Sequence, residues 1–576
     1  MNDARAPRAW WFAACGGAHA LLAGLSFEPI GWWPMALAAL VPVFLAALRS
    51  SGRPARAGLL VSLGVLPLWV YEQVWLIDVA GLWYVLLAVY LAAYPGVLVW
   101  FAGAWTNRAG RAGGLPMALV LALGWTALEM LRGEVIWGGY AWFFASDPLV
   151  NLPLLAAPAA LCGAYFVLFL LALAAAGAAQ AWTGHGRARR WGIAAVAASA
   201  GLWAGLAVIA RSFPSPHRVS VRVALVQTNL STSNKERWDF AQRVQDFERM
   251  AALTREAAAT SPAPDLIVWP ETMFPGLSLN EDAVAIERAS GFPAEFHARL
   301  TALQASTGIP MLVGGLAREG LKLSRKEGEA GARIEQERVF NSVCMVRDGR
   351  VETRRYDKME LMAFGEVVPY VWRWKGLQQM IANLGAEGWS FDLAWGREPT
   401  SFTLTLRDEP GRASDTIGIA TPICFEGTMP RVSRMLARSA TSAGPGLARP
   451  GVLINVTNDG WFGRWRGGRE QHLLTMRWRA IETGLPVARC ANTGISALIL
   501  PDGTVSAKLG PWTEGVLHVE IPATVVSAES IAPAAVHFVR VCAILGIAAV
   551  VWLLLPARVR AVHPRPRPGE AEGRSS

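Results

Sequence analysis

Three polar residues close apolar, strand-like runs: Glu271 in VWPETMFPG, Lys358 in RYDKMELMAFGEVVP and Cys424 in TPICFEG. A thiol that attacks an acyl carbon needs a base for its proton and a positive donor for the oxyanion. A carboxylate and an ammonium supply both, and neither a metal nor another cofactor is called for. Before Cys424, the β-prone run Ile417, Ile419, Thr421, Ile423 reads as a strand, and Phe425-Glu426-Gly427 turns into a helical-looking segment. The thiol is therefore expected where a strand ends and a helix begins, facing free N–H groups and a positive dipole end. Each residue also has a plain structural reading: a buried small apolar cysteine, a turn carboxylate after Pro270, a solvated hairpin end at Lys358. Three together in one α/β region favour a site.

The elements that must hold these groups alternate. Arg222–Leu230 reads as a strand, Trp238–Ala259 as a helix, Leu266–Glu271 as a buried strand, Asp282–Ala305 as a helix and Pro310–Leu316 as a strand. Val339–Lys358 reads as a hairpin turning at Arg347–Arg350. Beyond Cys424 come a helix, the strand Gly451–Asp459, a helix near Glu470–Thr483, the strand Leu485–Ala491 and a hairpin at Asp502-Gly503. This order predicts layered α/β packing with ligands at strand ends. Arg318–Arg338 reads as a charged, solvated loop.

That region is embedded in an apolar chain. Of 576 residues, 53% are hydrophobic, 26 are Trp and only 17% are charged, which excludes an ordinary soluble protein. Segments of spanning length fall at Trp10–Phe27, Gly31–Leu48, Ala57–Ile77, Gly81–Trp105, Leu115–Leu131, Leu152–Ala181, Trp191–Ala210 and Ile531–Pro556. The expected organisation is a seven-helix membrane domain (1–210), an outer catalytic domain (211–530), an eighth span (531–556) and a basic, disordered tail (557–576). With the N-terminus inside, Arg5, Arg8, Arg49, Arg53, Arg56, Arg108, Arg111, Arg187, Arg189, Arg190 and the arginines after Arg558 lie inside, and Arg132 alone occupies a short outer loop. Much of the net charge of +10 is thus topological, and no zinc-finger or RNA-binding motif appears. The first helix reads as an anchor, because no small-residue cleavage site follows it.

Cys344, Cys424 and Cys490 fall in the outer domain without metal-ligand spacing, so at least one stays a free thiol. Glu72, Asp78 and the Glu129/Arg132 pair lie near helix ends and read as capping and structural pairing rather than a polar path. The Trp-rich loop Trp137–Phe144 reads as an interfacial belt.

Glu271 in WPE, Lys358 and Glu366 in the YDK–FGE stretch and Cys424 in CFE resemble the Glu-Lys-Cys pattern of the nitrilase (carbon–nitrogen hydrolase) superfamily. VALVQTN (223–229), FNS (340–342), NDGWFG (458–463), EQHL (470–473), ETGLPVAR (482–489), ANTGIS (491–496) and LEMLRG (128–133) narrow the resemblance to the apolipoprotein N-acyltransferase family, over all of the chain but its tail. Three positions depart from the family pattern: Ala363 stands before Phe364 in place of Val-Pro, Val367 follows Glu366 in place of Tyr, and Gly460 replaces Ala. The resemblance implies an α-β-β-α sandwich on a membrane frame, and a two-step transfer through a Cys424 thioester. A phospholipid is the donor, and the α-amino group of a diacylglyceryl-cysteine lipoprotein is the acceptor. It implies Glu271 as base, Lys358 and the N–H after Cys424 as oxyanion donors, and Glu366, Glu426 and Phe425 as supporting residues.

The stretch Tyr370–Trp395, with Trp372 and Trp374, is expected to form a lid over lipid. Trp461, Phe462 and Asn341 are expected to wall the substrate. The implied location is the bacterial inner membrane, with the catalytic domain periplasmic, both termini cytoplasmic and the chain monomeric. Two other classes share parts of the pattern: a membrane-tethered amidase or nitrilase that transfers to water, and a transporter whose outer domain is inert.

Overall fold

The computed structural model describes the chain apart from residues 1–6, 110–115, 213–217, 231–238, 290–294, 325–332, 364, 368–373, 375, 377–392, 407–414, 445–446 and 555–576. A helix forms within every apolar segment, the principal ones being Ala9–Ser26, Val41–Leu48, Pro54–Glu72, Tyr84–Ala109, Met117–Glu134, Ala164–Thr183, Gly186–Ser212 and Pro533–Leu554. Among the described residues four helical stretches, Pro54–Glu72, Val74–Arg108, Ala164–Thr183 and Gly186–Ser212, have the length and apolarity to cross a bilayer, with shorter apolar helices beside them.

Two of the expected spans are interrupted. Gly31–Leu48 divides into short pieces at Pro34 and Pro42, which lack the N–H a continuous helix would use. Leu152–Ala181 breaks at Gly163, whose φ of +80° only glycine adopts freely, and the long helix starts at Ala164. Elsewhere helices cross backbone to backbone: a Cβ on Gly16 would lie 2.3 Å from the Val61 carbonyl oxygen, and one on Gly96 2.4 Å from that of Gly58.

Among the described residues between Arg218 and Val525, twelve strands join in one sheet that divides into two halves. One half contains Gly515–Val525, Arg218–Gln227, Leu266–Val268, Met311–Glu319, Arg338–Arg347 and Arg350–Asp357. The other contains Ser401–Thr405, Thr416–Ala420, Pro450–Thr457, Val487–Ala491, Ser496–Ile499 and Val505–Leu509. They meet where Pro450 and Gly451 pair with Val525 and Thr524. The two-residue period of a strand sorts its side chains into two layers. Val223 and Leu225 enter the core shared with the other half, whereas Ala224 and Val226 pack with Phe247, Met250, Leu300 and Leu303 of the outer helices. Pro450–Thr457 is buried at every position between parallel neighbours, as its unbroken apolar run requires.

The helix Arg466–Thr483 seats this domain on the membrane part. Glu482 accepts from the Ala164 N–H (2.7 Å), Gln471 donates to Asp147 (2.9 Å), and Trp478 and Arg477 donate to the carbonyls of Asp147 (3.1 Å) and Val150 (2.9 Å). A helix N-terminus left without intrahelical partners thereby gains a buried carboxylate.

Several expectations need correcting. Asp282–Ala305 is two helices, Asp282–Ala289 and Phe296–Thr307. The charged stretch 318–338 carries strand to Glu319 and a small hairpin, Lys322–Ser324 with Arg333–Glu335. Ser401–Thr405 and Gly515–Val525 escape the periodicity reading, although Val519, Ile521 and Ala523 alternate inward along the second. The loop Trp137–Phe144 is no lipid belt along its second half: Ala141, Trp142, Phe143 and Phe144 are buried. Arg132, paired with Glu129 at 3.8 Å, donates to the carbonyls of Trp142 (2.7 Å) and Phe143 (3.3 Å) and turns the loop inward.

Candidate active site

Glu271, Lys358 and Cys424 come from three different strand ends. Glu271 follows the short strand Leu266–Val268, Lys358 follows Arg350–Asp357, and Cys424 lies beyond Thr416–Ala420. The buried Lys358 ammonium is 3.4 Å from Glu271 Oε1 and 2.7 Å from Glu366 Oε1. Asn341 Nδ2 donates to the same two oxygens, at 2.7 and 3.3 Å, and the Asn458 N–H donates to Glu271 Oε2 at 2.8 Å. Three donors hold the Glu271 carboxylate in one orientation. Glu366 sits in a turn that closes on Met362: its carboxylate accepts from the Met362 N–H (2.8 Å) and its own N–H donates to the Met362 carbonyl (2.9 Å). Ala363 bridges Val367 across that turn, so local hydrogen bonds close it without the family's proline.

The thiol stands elsewhere than a helix N-terminus. The strand stops at Ala420, Pro422 offers no N–H to extend it, and Cys424 opens the 3-10 turn Cys424–Thr428; the α-helix begins only at Pro430. Cys424 has φ +50°, uncommon for a side-chain-bearing residue and typical of strained positions at reactive sites. Glu426 braces this turn rather than Lys358. Its buried carboxylate accepts from the N–H groups of Ile423 (2.9 Å), Met359 (2.7 Å) and Glu360 (3.0 Å) and from the Tyr356 hydroxyl (2.9 Å to each oxygen). It thus ties the Cys424 turn to the segment that carries Lys358.

Electrostatics separate the roles. Burial pushes the Cys424 thiol well above its ordinary value; the Glu271 charge adds to this, and the Lys358 ammonium and the Thr457 hydroxyl oppose it. The thiol rests protonated, so attack requires a base. Burial alone would favour a neutral Lys358 amine, but the charges of Glu366, then Glu271, outweigh it and hold the ammonium above its ordinary range. Burial also lifts Glu426 to about 7, against its backbone donors. Protonated thiol, fixed carboxylate and permanent cation together can pass a proton and stabilise an anion on an attacked carbonyl.

The remaining predicted residues divide. Phe425 and Phe462 are buried, and Phe462 stacks on Trp142 (centroids 5.4 Å apart) with Trp75 at its edge (4.8 Å). Trp461 is partly buried. Trp374 is 68% exposed, while Trp372 and most of the expected lid lie outside the described residues. All six cysteines are unpaired. Tyr356, Asn455, Asp459, His472 and Arg489 have no role assigned from the sequence, although all but Asn455 lie in quoted motifs. The available signal is polarity inside apolar runs, as with Asn455 in GVLINVTND.

Residues 222–529 match the carbon–nitrogen hydrolase family and residues 19–177 the N-terminal domain of apolipoprotein N-acyltransferase. An amidase from Nesterenkonia sp. is 16% identical, with 54% of this chain and 93% of that one covered and a TM-score of 0.34. The two family matches define the class: a carbon–nitrogen hydrolase domain carried on apolar helices. Two proteins named apolipoprotein N-acyltransferase align along nearly the whole chain. That of Azotobacter vinelandii is 30% identical over 530 residues, covering 88% of this chain and 89% of the relative; that of Geobacter metallireducens is 28% identical over 524 residues, covering 87% of each. The chain belongs to the apolipoprotein N-acyltransferase family.

Proposed function

We propose that the protein moves a fatty acyl chain from a phospholipid, through a thioester on Cys424, to the α-amino group of a diacylglyceryl-cysteine lipoprotein. The observation that carries this reading is Lys358 Nζ lying 2.7 Å from Glu366 and 3.4 Å from Glu271, with all three charges acting on the Cys424 thiol. The family's name and the full-length relatives support the substrates.

In the first half-reaction Glu271 takes the thiol proton, Sγ bonds to the ester carbonyl carbon, and Lys358 with the Phe425 N–H holds the oxyanion. The ester C–O bond breaks, and Glu271 returns the proton to the departing lysophospholipid oxygen. In the second, the amine nitrogen attacks the thioester, the C–S bond breaks, and the amine proton passes through Glu271 to Sγ. Glu366 orients Lys358, and Glu426 braces the Cys424 turn. A thioester suits the task because it is more reactive to amines than an ester when water is kept away.

The frame proposed around this chemistry has eight spans, with boundaries at 1–210, 211–530 and 531–556 and both termini cytoplasmic. The arginine distribution supports a catalytic domain outside the bacterial inner membrane. Intact mass spectrometry after incubation with phospholipid tests the reading. Wild type is expected to gain one acyl mass, Cys424→Ala none, and Glu271→Gln little. An adduct that survives Cys424→Ala overturns it.

A further inference from the structure

The motifs NDGWFG, EQHL and PVAR take no part in the steps above, yet they converge behind the nucleophile. Asp459, His472 and Arg489, with Asn455, form one fully buried cluster. Arg489 donates from Nε to the Ile495 carbonyl (3.1 Å), from Nη1 to Asn455 Oδ1 (2.9 Å) and from Nη2 to Asp459 Oδ2 (2.5 Å). Accepting that bond fixes the sense of the Asn455 amide, whose Nδ2 then donates to the carbonyls of Pro422 (3.0 Å) and Cys424 (3.3 Å). His472 closes the circuit. Its Nδ1 lies 3.2 Å from Arg489 Nη2 and from Asp459 Oδ1, and its Nε2 lies 3.4 Å from the Cys424 carbonyl oxygen. The Cys424 carbonyl can only accept, which assigns Nε2 its hydrogen; Nδ1 faces both a donor, Arg489, and an acceptor, Asp459. Burial, then the Arg489 charge, push the His472 pKa down, against the Asp459 carboxylate and the Cys424 carbonyl.

Two donors thus meet on one carbonyl oxygen. In a planar trans peptide the C=O and the N–H point opposite ways, so pinning the Cys424 oxygen aims the Phe425 N–H to the other side, and hydrogen bonds at the oxygen polarise it. That N–H has no acceptor among the described residues. The left-handed backbone of Cys424 also needs support from outside its own turn. We infer that Asn455 and His472, held by Arg489 and Asp459, are positioning residues that aim the Phe425 N–H at the oxyanion of each acyl-transfer step. This rests on the thioester reading of the preceding subsection.

The test compares two reactions of the same thiol in the purified full-length protein: acylation by phospholipid, which passes through an oxyanion, and alkylation by iodoacetamide, which does not. His472→Phe keeps a ring against Trp142 and Phe462 but removes the donor. Acylation is expected to fall about tenfold or more while alkylation stays within about twofold of wild type. His472→Gln, which keeps a donor, is expected to recover most of the acylation rate. Asn455→Asp, which loses the other donor, is expected to repeat the split and decides the case if His472→Phe does not melt as a folded protein. Unchanged acylation, an equal fall in both reactions, or no recovery in His472→Gln overturns the inference while the thioester reading stands. A wild type that gains no acyl mass overturns the reading itself.

Discussion

Two buried charge clusters flank Cys424, and they are built differently. In front, Lys358 faces Glu271 and Glu366; behind, Arg489 faces Asp459 with His472 between. The front cluster is an ammonium point charge with two carboxylates, and it leaves Asn341 Oδ1 buried without a partner among the described residues. The rear cluster is a rigid fork whose bonds to Asp459, Asn455 and the Ile495 carbonyl are all directional. Burial raises a lone carboxyl, yet the Arg489 charge holds Asp459 below the usual carboxylate range. The difference teaches where chemistry and architecture separate: a compact, rotatable ammonium can follow a charge that appears and disappears, whereas a guanidinium holds fixed geometry.

Exchanging the two cations is the sharpest way to break that contrast. Lys358→Arg is expected to lower the acyl-adduct rate about a thousandfold with the melting temperature little changed, because a planar fork cannot occupy the space of Nζ. Equal rates for the two proteins would remove the oxyanion role from Lys358. Arg489→Lys is expected to destabilise the fold by about 3 kcal/mol, read by denaturant unfolding in detergent, since Asp459 stays buried with its partners incomplete. A loss below about 0.5 kcal/mol would mean that the rear cluster is not a structural clamp.

A further prediction concerns the brace that ties the Cys424 turn to the segment carrying Lys358. Glu426 is raised from 4.5 to about 7 in the fold, so the folded state binds the extra proton between those values. Its contribution to stability is complete below pH 4.5 and is lost as pH rises through about 7, falling by about 1.4 kcal/mol per pH unit in between. Glu426→Gln is expected to flatten the fall in stability across that window. A variant curve parallel to wild type would show that Glu426 does not titrate there.

How much was legible follows from where each residue sits. Glu271, Lys358 and Cys424 stand out because they end apolar runs, and a polar group there must be exposed or used. His472 does not, because the helix Arg466–Thr483 is buried nearly all round. Only the structure shows its polar residues Gln471, His472, Arg479 and Glu482 wedged between the sheet and the apolar helices. Trp142 misleads for the opposite reason: an aromatic loop beside an apolar helix reads as lipid-facing until Arg132 is seen bonding its carbonyl.

By itself the sequence determined the order of most helices and strands, the apolar frame and the reactive groups available, because those follow from composition and from periods of two and 3.6 residues. Tertiary structure decided which groups meet. Asn341 reaches Glu271 across 70 positions, Lys358 across 87 and the Asn458 N–H across 187. It also decided that Cys424 occupies a left-handed turn held by its carbonyl rather than the start of a helix. Local patterns act over about four residues, whereas this site exists only where two sheet halves and a membrane-seated helix close around one peptide.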